Sequence, residues 1–207
     1  MNIRSLPTAP VAALAALLLA APAVATIVRS LTLDQMAVRA DVVVHARVVE
    51  QRSAWNDEKN RIYTVTRVEV VDAIKGGDKP GTLLDIRQIG GSVDGITQSV
   101  AGNARLRVGE EVIVFLDRDQ AKPLHYVIGM AQGKFAVDRR GAEPRVVRDL
   151  EGLSMAAASG PTVADLKATP KSAPVPEQLA PSLPDFVARV RAAAAAAPVT
   201  ATAAPAP

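Results

Sequence analysis

Between residues 41 and 148 the sequence repeats one local pattern, a short run in which apolar and polar side chains alternate. The run Val42–Val49 is strongly β-branched, and the run Arg61–Val71 alternates in the same way. Successive side chains of a β-strand face opposite sides of the sheet, so such runs predict half-buried strands. The runs recur at a spacing of about ten residues with no helical pattern between them, which predicts an antiparallel barrel or sandwich.

Further strands are expected at 82–89, 96–100, 112–116, 126–129, 134–137 and 145–148. The first strand has one fully apolar face, which is expected in the core, and a second face that is mixed. The mixed face carries Val43, His45 and Arg47, and we expect it to be partly exposed to water. The run Val112–Leu116 is apolar throughout, which is typical of a strand buried on both faces.

Glycine and proline divide the chain into regions. All 13 glycines lie between Gly76 and Gly160, whereas nine of the 15 prolines lie from Pro161 onward. Glycine serves turns, and scattered proline with alanine and serine is typical of an extended linker. We therefore predict a barrel domain over residues 26–150, a linker over 151–181, a helix over 182–197 and a disordered tail over 198–207.

Two short helices are predicted, one near each end of this arrangement. Thr32 and Gln35 form a capping box at the start of the first. Ser182 is the expected N-cap of the second. The apolar stripe of the second helix consists of Leu183, Phe186, Val187 and Val190. This helix either docks on the barrel of its own chain or serves as a tethered recognition helix for a partner.

The first 25 residues have the pattern of a secretory signal peptide. Arg4 supplies the positive charge, residues 11–21 are apolar, and Ala23-Val24-Ala25 fits the small-residue rule of a signal-peptidase site. An apolar stretch of this length is too short to cross a hydrocarbon core about 30 Å thick. We predict cleavage near Ala25 and a mature protein that is secreted or periplasmic and has no membrane span.

The composition restricts the chemistry. The chain has no cysteine, which excludes disulfides, thiol catalysis and cysteine-ligated zinc or iron–sulfur centres. Its 24 Lys and Arg residues nearly balance its 21 Asp and Glu residues, which argues against a nucleic-acid partner. His45 and His125 have no metal-binding spacing with another ligand. We therefore predict no catalytic residue, no metal site and no cofactor.

Two stretches of the sequence resemble a known family. Residues 40–48 (Ala-Asp-Val-Val-Val-His-Ala-Arg-Val), with 61–63 (Arg-Ile-Tyr) and 74–76 (Ile-Lys-Gly), are similar to the opening hairpin of the netrin-like module, above all in tissue inhibitors of metalloproteinases. The resemblance covers about residues 30–116 and implies an OB-type barrel. The chain is also similar to uncharacterised secreted bacterial proteins that share this hairpin, a tryptophan in its loop, a glycine-rich segment and a Gly-Glu-Glu-Val strand. Some of these occur alongside metalloprotease domains of the matrixin type.

Trp55 and Asn56 lie in a polar segment, residues 51–60, which we predict to be the loop between the first two strands. In an OB-type barrel this loop borders the usual ligand face. The ring of Trp55 either anchors a contact with a protein or sugar or folds back to cap the mouth of the barrel.

The segment Gly90–Gly95 is the second predicted contact region and contains Ser92 and Asp94. Ser92 has some likeness to the serine of a nucleophile elbow. However, Asp94 stands where that motif requires glycine, and no strand-to-helix transition follows. The content of glycine, serine and aspartate predicts a bulge or hairpin tip instead.

These observations together predict a non-catalytic binding or accessory protein of the cell envelope or exterior. The expected partner is an extracellular protein. The resemblance implies an alternative, a modulator or inhibitor of a secreted metalloprotease. The animal inhibitors chelate zinc through an N-terminal cysteine, whereas the predicted mature chain begins with Thr26.

Overall fold

The structure, a computed structural model, describes residues 26–148, 150, 153–156 and 180–196 of the chain. It is mainly β. Its strands are β1 (Thr26–Arg29), β2 (Val42–Trp55), β3 (Ile62–Lys75), β4 (Leu83–Ile89), β5 (Gly91–Val93), β6 (Ile96–Gln98), β7 (Glu111–Arg118), β8 (His125–Val127), β9 (Lys134–Asp138), β10 (Arg145–Arg148) and β11 (Leu153–Ala156). Its helices are α1 (Leu33–Arg39), a 3-10 turn (Met130–Gly133) and α2 (Leu183–Ala195).

Five strands close into a barrel. Around the barrel the order is β7, β2, β3, β4, β8 and again β7. The neighbouring strands are antiparallel, except that β4 and β8 pair in parallel at Ile86 and His125. The strands β9 and β10 extend the sheet from the remaining length of β7. The predicted fold class, a mainly β, OB-like barrel with a helix near each end, is confirmed.

The short helix α1 begins at the predicted capping box. The Thr32 hydroxyl accepts a hydrogen bond from the Gln35 backbone N–H at 3.1 Å, and the Gln35 side chain accepts one from the Thr32 N–H at 3.0 Å. Two otherwise unpaired amides are thereby satisfied. Met36 and Ala37 are completely buried, so α1 is fixed to the barrel by one apolar face.

The apolar core consists of two clusters on opposite faces of β2 and β7. The first fills the barrel and draws side chains from four of its strands: Val42, Val44, Ala46, Val48, Val68, Val70, Leu84, Ile86, Val112, Val114 and Leu116. The second lies outside the barrel and joins Val43, Ile113 and Phe115 to residues of α1 and α2. Both faces of β7 are therefore buried, as its continuous apolar run predicts.

The mixed face of β2 is partly exposed, as expected, but only at Arg47 and Val49, and two of its positions are buried. Val43 and His45 are 0% and 6% exposed. Val43 belongs to the outer cluster, which α2 covers, and the His45 ring is hydrogen-bonded to Glu111 of β7. The alternation within a strand indicates the polarity of each face. It does not indicate whether a helix from a distant part of the chain covers that face.

The helix α2 docks on its own barrel. Val190 is completely buried, and the ring of Phe186 lies with its centroid 4.8 Å from that of Phe135 in β9. Near its other end the Arg191 guanidinium binds both carboxylate oxygens of Asp72 in β3, at 2.8 and 2.9 Å. Of the two roles that the sequence allows for this helix, the structure shows the docked one.

The strands β1 and β11 form a separate two-stranded parallel sheet. Gln132, which is completely buried, anchors the chain after β1, because its side chain accepts from the Leu31 N–H at 2.8 Å and donates to the Arg29 carbonyl at 3.0 Å. The strand β11 lies within the range predicted as linker. The predicted signal peptide, most of the predicted linker and the predicted tail lie outside the described residues.

Candidate functional site

The strands β2 and β3 are longer than predicted. Past the end of the pairing between β2 and β7, they form with β4 a three-stranded arm, which consists of residues 51–55, 62–66 and 86–89. Residue pairing between β2 and β7 ends at Arg47, whereas pairing between β2 and β3 continues to Trp55, opposite Ile62. The prediction that Trp55 lies in a loop is therefore wrong, because Trp55 is the last residue of β2. Its half-buried side chain sits at the tip of the arm.

Asn56 serves the turn that closes this arm. Its side-chain oxygen accepts from the backbone N–H groups of Asn60 and Arg61, at 3.0 and 2.9 Å. Its own backbone N–H donates to the Arg61 carbonyl at 2.8 Å. An asparagine that satisfies the backbone of its own turn has a local structural role. Asn56 was a predicted binding residue, and this geometry gives it a turn-forming role.

A register irregularity decides which side chains of the arm face the barrel axis. The pairing of β2 with β3 shifts between Val48 and Glu50. Before the shift, even-numbered residues of β2 face the inner cluster. After it, Gln51 and Ser53 are paired with Thr66 and Thr64, which are buried. The inward face therefore changes from valine to polar side chains at the point where the barrel ends, and Trp55 lies on that same face.

The hairpin β5–β6 folds against this polar face. Asp94 and Gly95 connect its strands with φ values of 52° and 77°, and two positive values are typical of a type I′ turn. The glycine at its base is needed for close approach: a Cβ on Gly91 would lie 2.4 Å from Thr64 Oγ1 and 2.5 Å from Ser53 Oγ. The expected hairpin tip is present, and it is pressed onto the arm.

Ser92 is exposed on this hairpin, and its hydroxyl lies 2.8 Å from that of Thr97 on the neighbouring strand. In the described residues, no histidine or carboxylate is hydrogen-bonded to Ser92. Asp94 is exposed and belongs to the turn. The structure therefore places Trp55, Ser92 and Asp94 at one end of the molecule but does not join them into a reactive group.

A cleft of about 580 Å³ opens between the arm, the hairpin and the segment 99–107. Most of its walls consist of amide, hydroxyl and backbone groups. The polar side chains that line it are those of Gln51, Ser53, Thr64, Gln88, Ser92, Gln98, Ser99, Asn103, Arg105 and Arg107. The described lining contains no Asp, no Glu and no aromatic residue.

The amide N–H groups of the cleft hold the segment 99–107 in place. Gln51 donates to the Leu106 carbonyl at 3.1 Å, and Gln88 donates to the Ala104 carbonyl at 3.1 Å. Asn103 donates in the opposite direction, to the carbonyl of Ile89 in β4, at 2.6 Å. Each of these three amides donates at least one hydrogen bond to the protein, and Gln51 donates a second to the Thr66 hydroxyl at 2.9 Å. The side-chain oxygens of the same amides have no hydrogen-bond partner within the described residues.

A buried ion pair supports the far end of that segment. The Lys134 ammonium, 3% exposed, lies 2.5 Å from a carboxylate oxygen of Glu110. The other Glu110 oxygen accepts from the Arg107 backbone N–H at 3.1 Å. Because a buried charge pair of this kind is costly to break, it fixes the turn before β7 and with it one wall of the cleft.

The two histidines lie in different surroundings. His45 is 2.5 Å from Glu111, which also accepts two hydrogen bonds from Arg139. The Arg139 bonds, and to a smaller extent His45, hold the pKa of Glu111 below its ordinary value although burial acts to raise it. His125 lines a smaller cavity of about 320 Å³ near Asp78 and Lys122. Within the part of the chain that the structure describes, no three His, Asp or Glu residues are grouped closely enough to hold a metal ion.

No pattern in the sequence predicts the amide residues of the cleft. Gln88 alternates like any other half-exposed strand residue, and the segment 99–107 carries no motif. One signal was available in β2: after four inward apolar residues the next inward positions are Gln51 and Ser53. This signal can be recognised only if the register shift at Val49 is known, and the sequence does not show that shift.

The comparisons with known proteins give no relative. No model of a known protein family matches the chain, and no curated protein matches it significantly. In the described residues, neither helix is long and apolar enough to cross a membrane.

Proposed function

We propose that this protein is a secreted or periplasmic binding module without catalytic activity and that the cleft is its ligand site. The observation that carries the proposal is that the N–H groups and the oxygens of the cleft amides have different partners. Their N–H groups fix the wall of the cleft that these residues line, and their oxygens have no hydrogen-bond partner among the described residues. Concave sites with a few fixed polar groups are typical of specific binding.

The surroundings of the nucleophilic and basic residues support the non-catalytic part of the proposal. Ser92 is hydrogen-bonded to Thr97, and His45 is hydrogen-bonded to a glutamate that Arg139 also holds. Acyl-transfer chemistry needs a nucleophile, a base and an orienting group within hydrogen-bond reach of one another. A reproducible hydrolytic activity that disappears in Ser92→Ala or His125→Ala would contradict the proposal.

A capture experiment tests the cleft, through Arg107, and the adjacent tip of the arm, through Trp55, as the binding site. Wild-type protein and the variants Trp55→Ala and Arg107→Ala are immobilised and exposed to the secreted proteins of the native organism. We expect a partner that is retained by wild type and lost or reduced with both variants. Lys122→Ala, an exposed cation outside the cleft, is the matched control and should retain the partner. Equal capture by all four proteins would place the site elsewhere.

The alternative, regulation of a secreted metalloprotease, rests on the family resemblance alone. Titration of the protein against a matrixin-type protease tests it directly. Inhibition that depends on Thr26 would favour this alternative, because an N-terminal amine can chelate zinc. Unchanged proteolysis at micromolar concentrations of the protein would reject it.

A further inference from the structure

Within the described residues, the outer edge of the arm in β2 has unpaired backbone groups. In an antiparallel pair, alternate residues direct their N–H and C=O groups toward the partner strand and away from it. Ile62 of β3 directs its carbonyl away from β2, because that oxygen accepts from the Gly90 N–H at 2.8 Å. Thr64 and Thr66 follow at alternate positions and share this direction.

The residues of β2 opposite these three therefore face the other way. Trp55, Ser53 and Gln51 are paired with Ile62, Thr64 and Thr66. Directly opposed residues of an antiparallel pair share one hydrogen-bonding state. The backbone N–H and C=O groups of Gln51, Ser53 and Trp55 thus point away from β3, to the outer edge of β2.

This outer edge is unpaired in the described part of the chain. The last backbone hydrogen bonds on that side of β2 join Val48 to Glu110 and Gly109, both within 2.9 Å. Beyond them, none of the described residues bonds to the backbone groups of Gln51, Ser53 or Trp55. Gln51 is exposed and the other two are half-buried, so an approaching chain can reach this edge. An open strand edge is a template for an added strand.

The cleft beside the edge has a chemical preference. The side-chain oxygens of Gln51, Gln88 and Asn103 accept hydrogen bonds, as a ligand with several N–H groups requires. The charged residues of the described lining are arginines only, and the Arg107 side chain is exposed. No aromatic side chain of the lining offers a platform on which a nucleic-acid base can stack.

We propose that an extended, acidic peptide segment of a partner protein binds in the cleft as an added strand on the outer edge of β2. This inference rests on the proposed function and specifies its ligand. The peptide backbone pairs with Gln51, Ser53 and Trp55, and alternate side chains enter the cleft, where a carboxylate meets Arg107. Backbone pairing supplies affinity, and the basic, acid-free lining selects an acidic sequence.

The first test uses synthetic peptides. The probe is fluorescein-labelled Thr-Glu-Val-Glu-Thr-Glu-Val-Glu, and its control carries lysine in place of each glutamate. Binding is followed by anisotropy and by the fluorescence of Trp55, the single tryptophan of the chain. We expect the acidic peptide to bind at least about tenfold more tightly at low salt, with a smaller difference at high salt.

Backbone pairing is tested with two N-methylated forms of the acidic peptide, each methylated at one set of alternate residues. An added strand directs only one of these sets toward β2. We expect that one form loses at least about tenfold in affinity, whereas the other stays within about threefold of the parent peptide. Equal affinity of both forms and the parent peptide would overturn the proposal.

Protein variants give an independent test. Ser53→Pro removes one outward N–H and keeps the pairing with β3, since proline is tolerated where the N–H of an edge strand faces solvent. Ser53→Ala is its control, because it removes the same hydroxyl and retains the N–H. We expect about tenfold weaker binding for Ser53→Pro than for Ser53→Ala, and about tenfold weaker binding for Arg107→Gln than for Lys122→Gln. If Ser53→Pro does not fold, the methylated peptides and Arg107→Gln still test the proposal.

Other occupants of the edge are outcomes that overturn the proposal. These outcomes are binding of polygalacturonate but not of the acidic peptide, or a dimer in sedimentation that Ser53→Pro dissolves. Capture of a native partner that depends on Trp55 and Arg107, together with no peptide binding, would uphold the binding module and overturn only the added strand. If neither a native partner nor the acidic peptide binds, the proposed function is overturned as well.

Discussion

The two ends of β2 differ in what they pack against, although they belong to one strand. At its beginning both faces are buried: Val42 faces the barrel interior, and Val43 faces the cluster that α2 covers. At its end, Gln51 and Ser53 face a cleft, and the outer edge of the strand has no described partner. The first end supports the fold, and the second is where we propose that a ligand binds.

The difference shows how a small cysteine-free barrel can remain stable although one end of it is an open polar cleft. The buried end contains three tilted rings, with Phe135 between Phe115 and Phe186 at centroid distances of 5.7 and 4.8 Å. Burial of aromatic side chains contributes much of the stability of a domain of this size. The cleft end contributes less to stability, so its side chains are free to serve recognition. Substitutions at the two ends should therefore differ sharply in their effect.

The largest expected effect is that of Phe186→Ala. Phe186 is 5% exposed and packs on Phe135, so its truncation leaves a cavity that the barrel cannot easily fill. We expect the free energy of unfolding to fall by about 3–5 kcal/mol. Urea denaturation monitored by circular dichroism measures this. Ser92→Ala at the cleft end is the control and should stay within about 0.5 kcal/mol of wild type. If Phe186→Ala loses as little stability as Ser92→Ala, α2 is not part of the stabilising core.

The next largest effect is expected for Gly91→Ala, at the base of the hairpin. The added Cβ meets Thr64 Oγ1 and Ser53 Oγ at less than van der Waals distance, so the hairpin must lift from the arm. We expect a loss of about 1–3 kcal/mol together with weaker capture of the partner. Gly95→Ala separates crowding from backbone strain, because its φ is positive but its Cβ would meet no atom within 4 Å. It should cost about 1 kcal/mol and leave capture unchanged.

The features that the sequence predicts well are those decided by neighbouring residues. The Thr32 capping box depends on residues three apart, and the Ser182 cap with its apolar stripe depends on one helix. The alternation of β2 over Val42–Val48 likewise has a local cause. From these an antiparallel barrel or sandwich, two helices and a bulge or hairpin tip at Gly90–Gly95 follow without knowledge of any long-range contact. The choice of a barrel comes from the family resemblance.

The features that the sequence does not reveal depend on pairing across the molecule. The inward position of Gln51 follows from a register shift against β3, and the length of β2 to Trp55 follows from its continued pairing with Ile62. The burial of Val43 follows from a helix more than a hundred residues away. The cleft depends on the first two of these features, the register shift and the continued pairing of β2, which explains why the Trp55 region was predicted as a loop and the amides were missed.

A smaller effect concerns pH, at the border of the buried end. The hydrogen bonds from Arg139 are the main reason that the pKa of Glu111 lies below its ordinary value of 4.5. A carboxylate with a lowered pKa stabilises the fold fully above its unfolded-state pKa, and this contribution is lost as the pH falls through the folded-state pKa. Arg139→Gln raises the folded-state pKa of Glu111 and leaves its unfolded-state pKa unchanged, so the variant should be less stable at pH 7 and should lose less stability than wild type as the pH falls. Melting temperatures between pH 7 and pH 3 measure this, with exposed Arg61→Gln as the control. Coincident profiles would show that Arg139 does not control the ionisation of Glu111.

The smallest effect is expected for Asp94→Asn, which distinguishes a turn residue from a contact residue at the cleft end. Asp94 has a φ of 52°, a left-handed conformation that asparagine adopts as readily as aspartate. Its replacement by asparagine should change the free energy of unfolding by no more than about 0.5 kcal/mol, whereas Asp94→Val should cost about 1–2 kcal/mol. If the proposed ligand is acidic, removal of this carboxylate should leave capture unchanged or strengthen it slightly, because one repulsive charge near the cleft is lost. Weaker capture by Asp94→Asn at unchanged stability would instead make Asp94 a ligand contact, and the ligand would then be basic at that position.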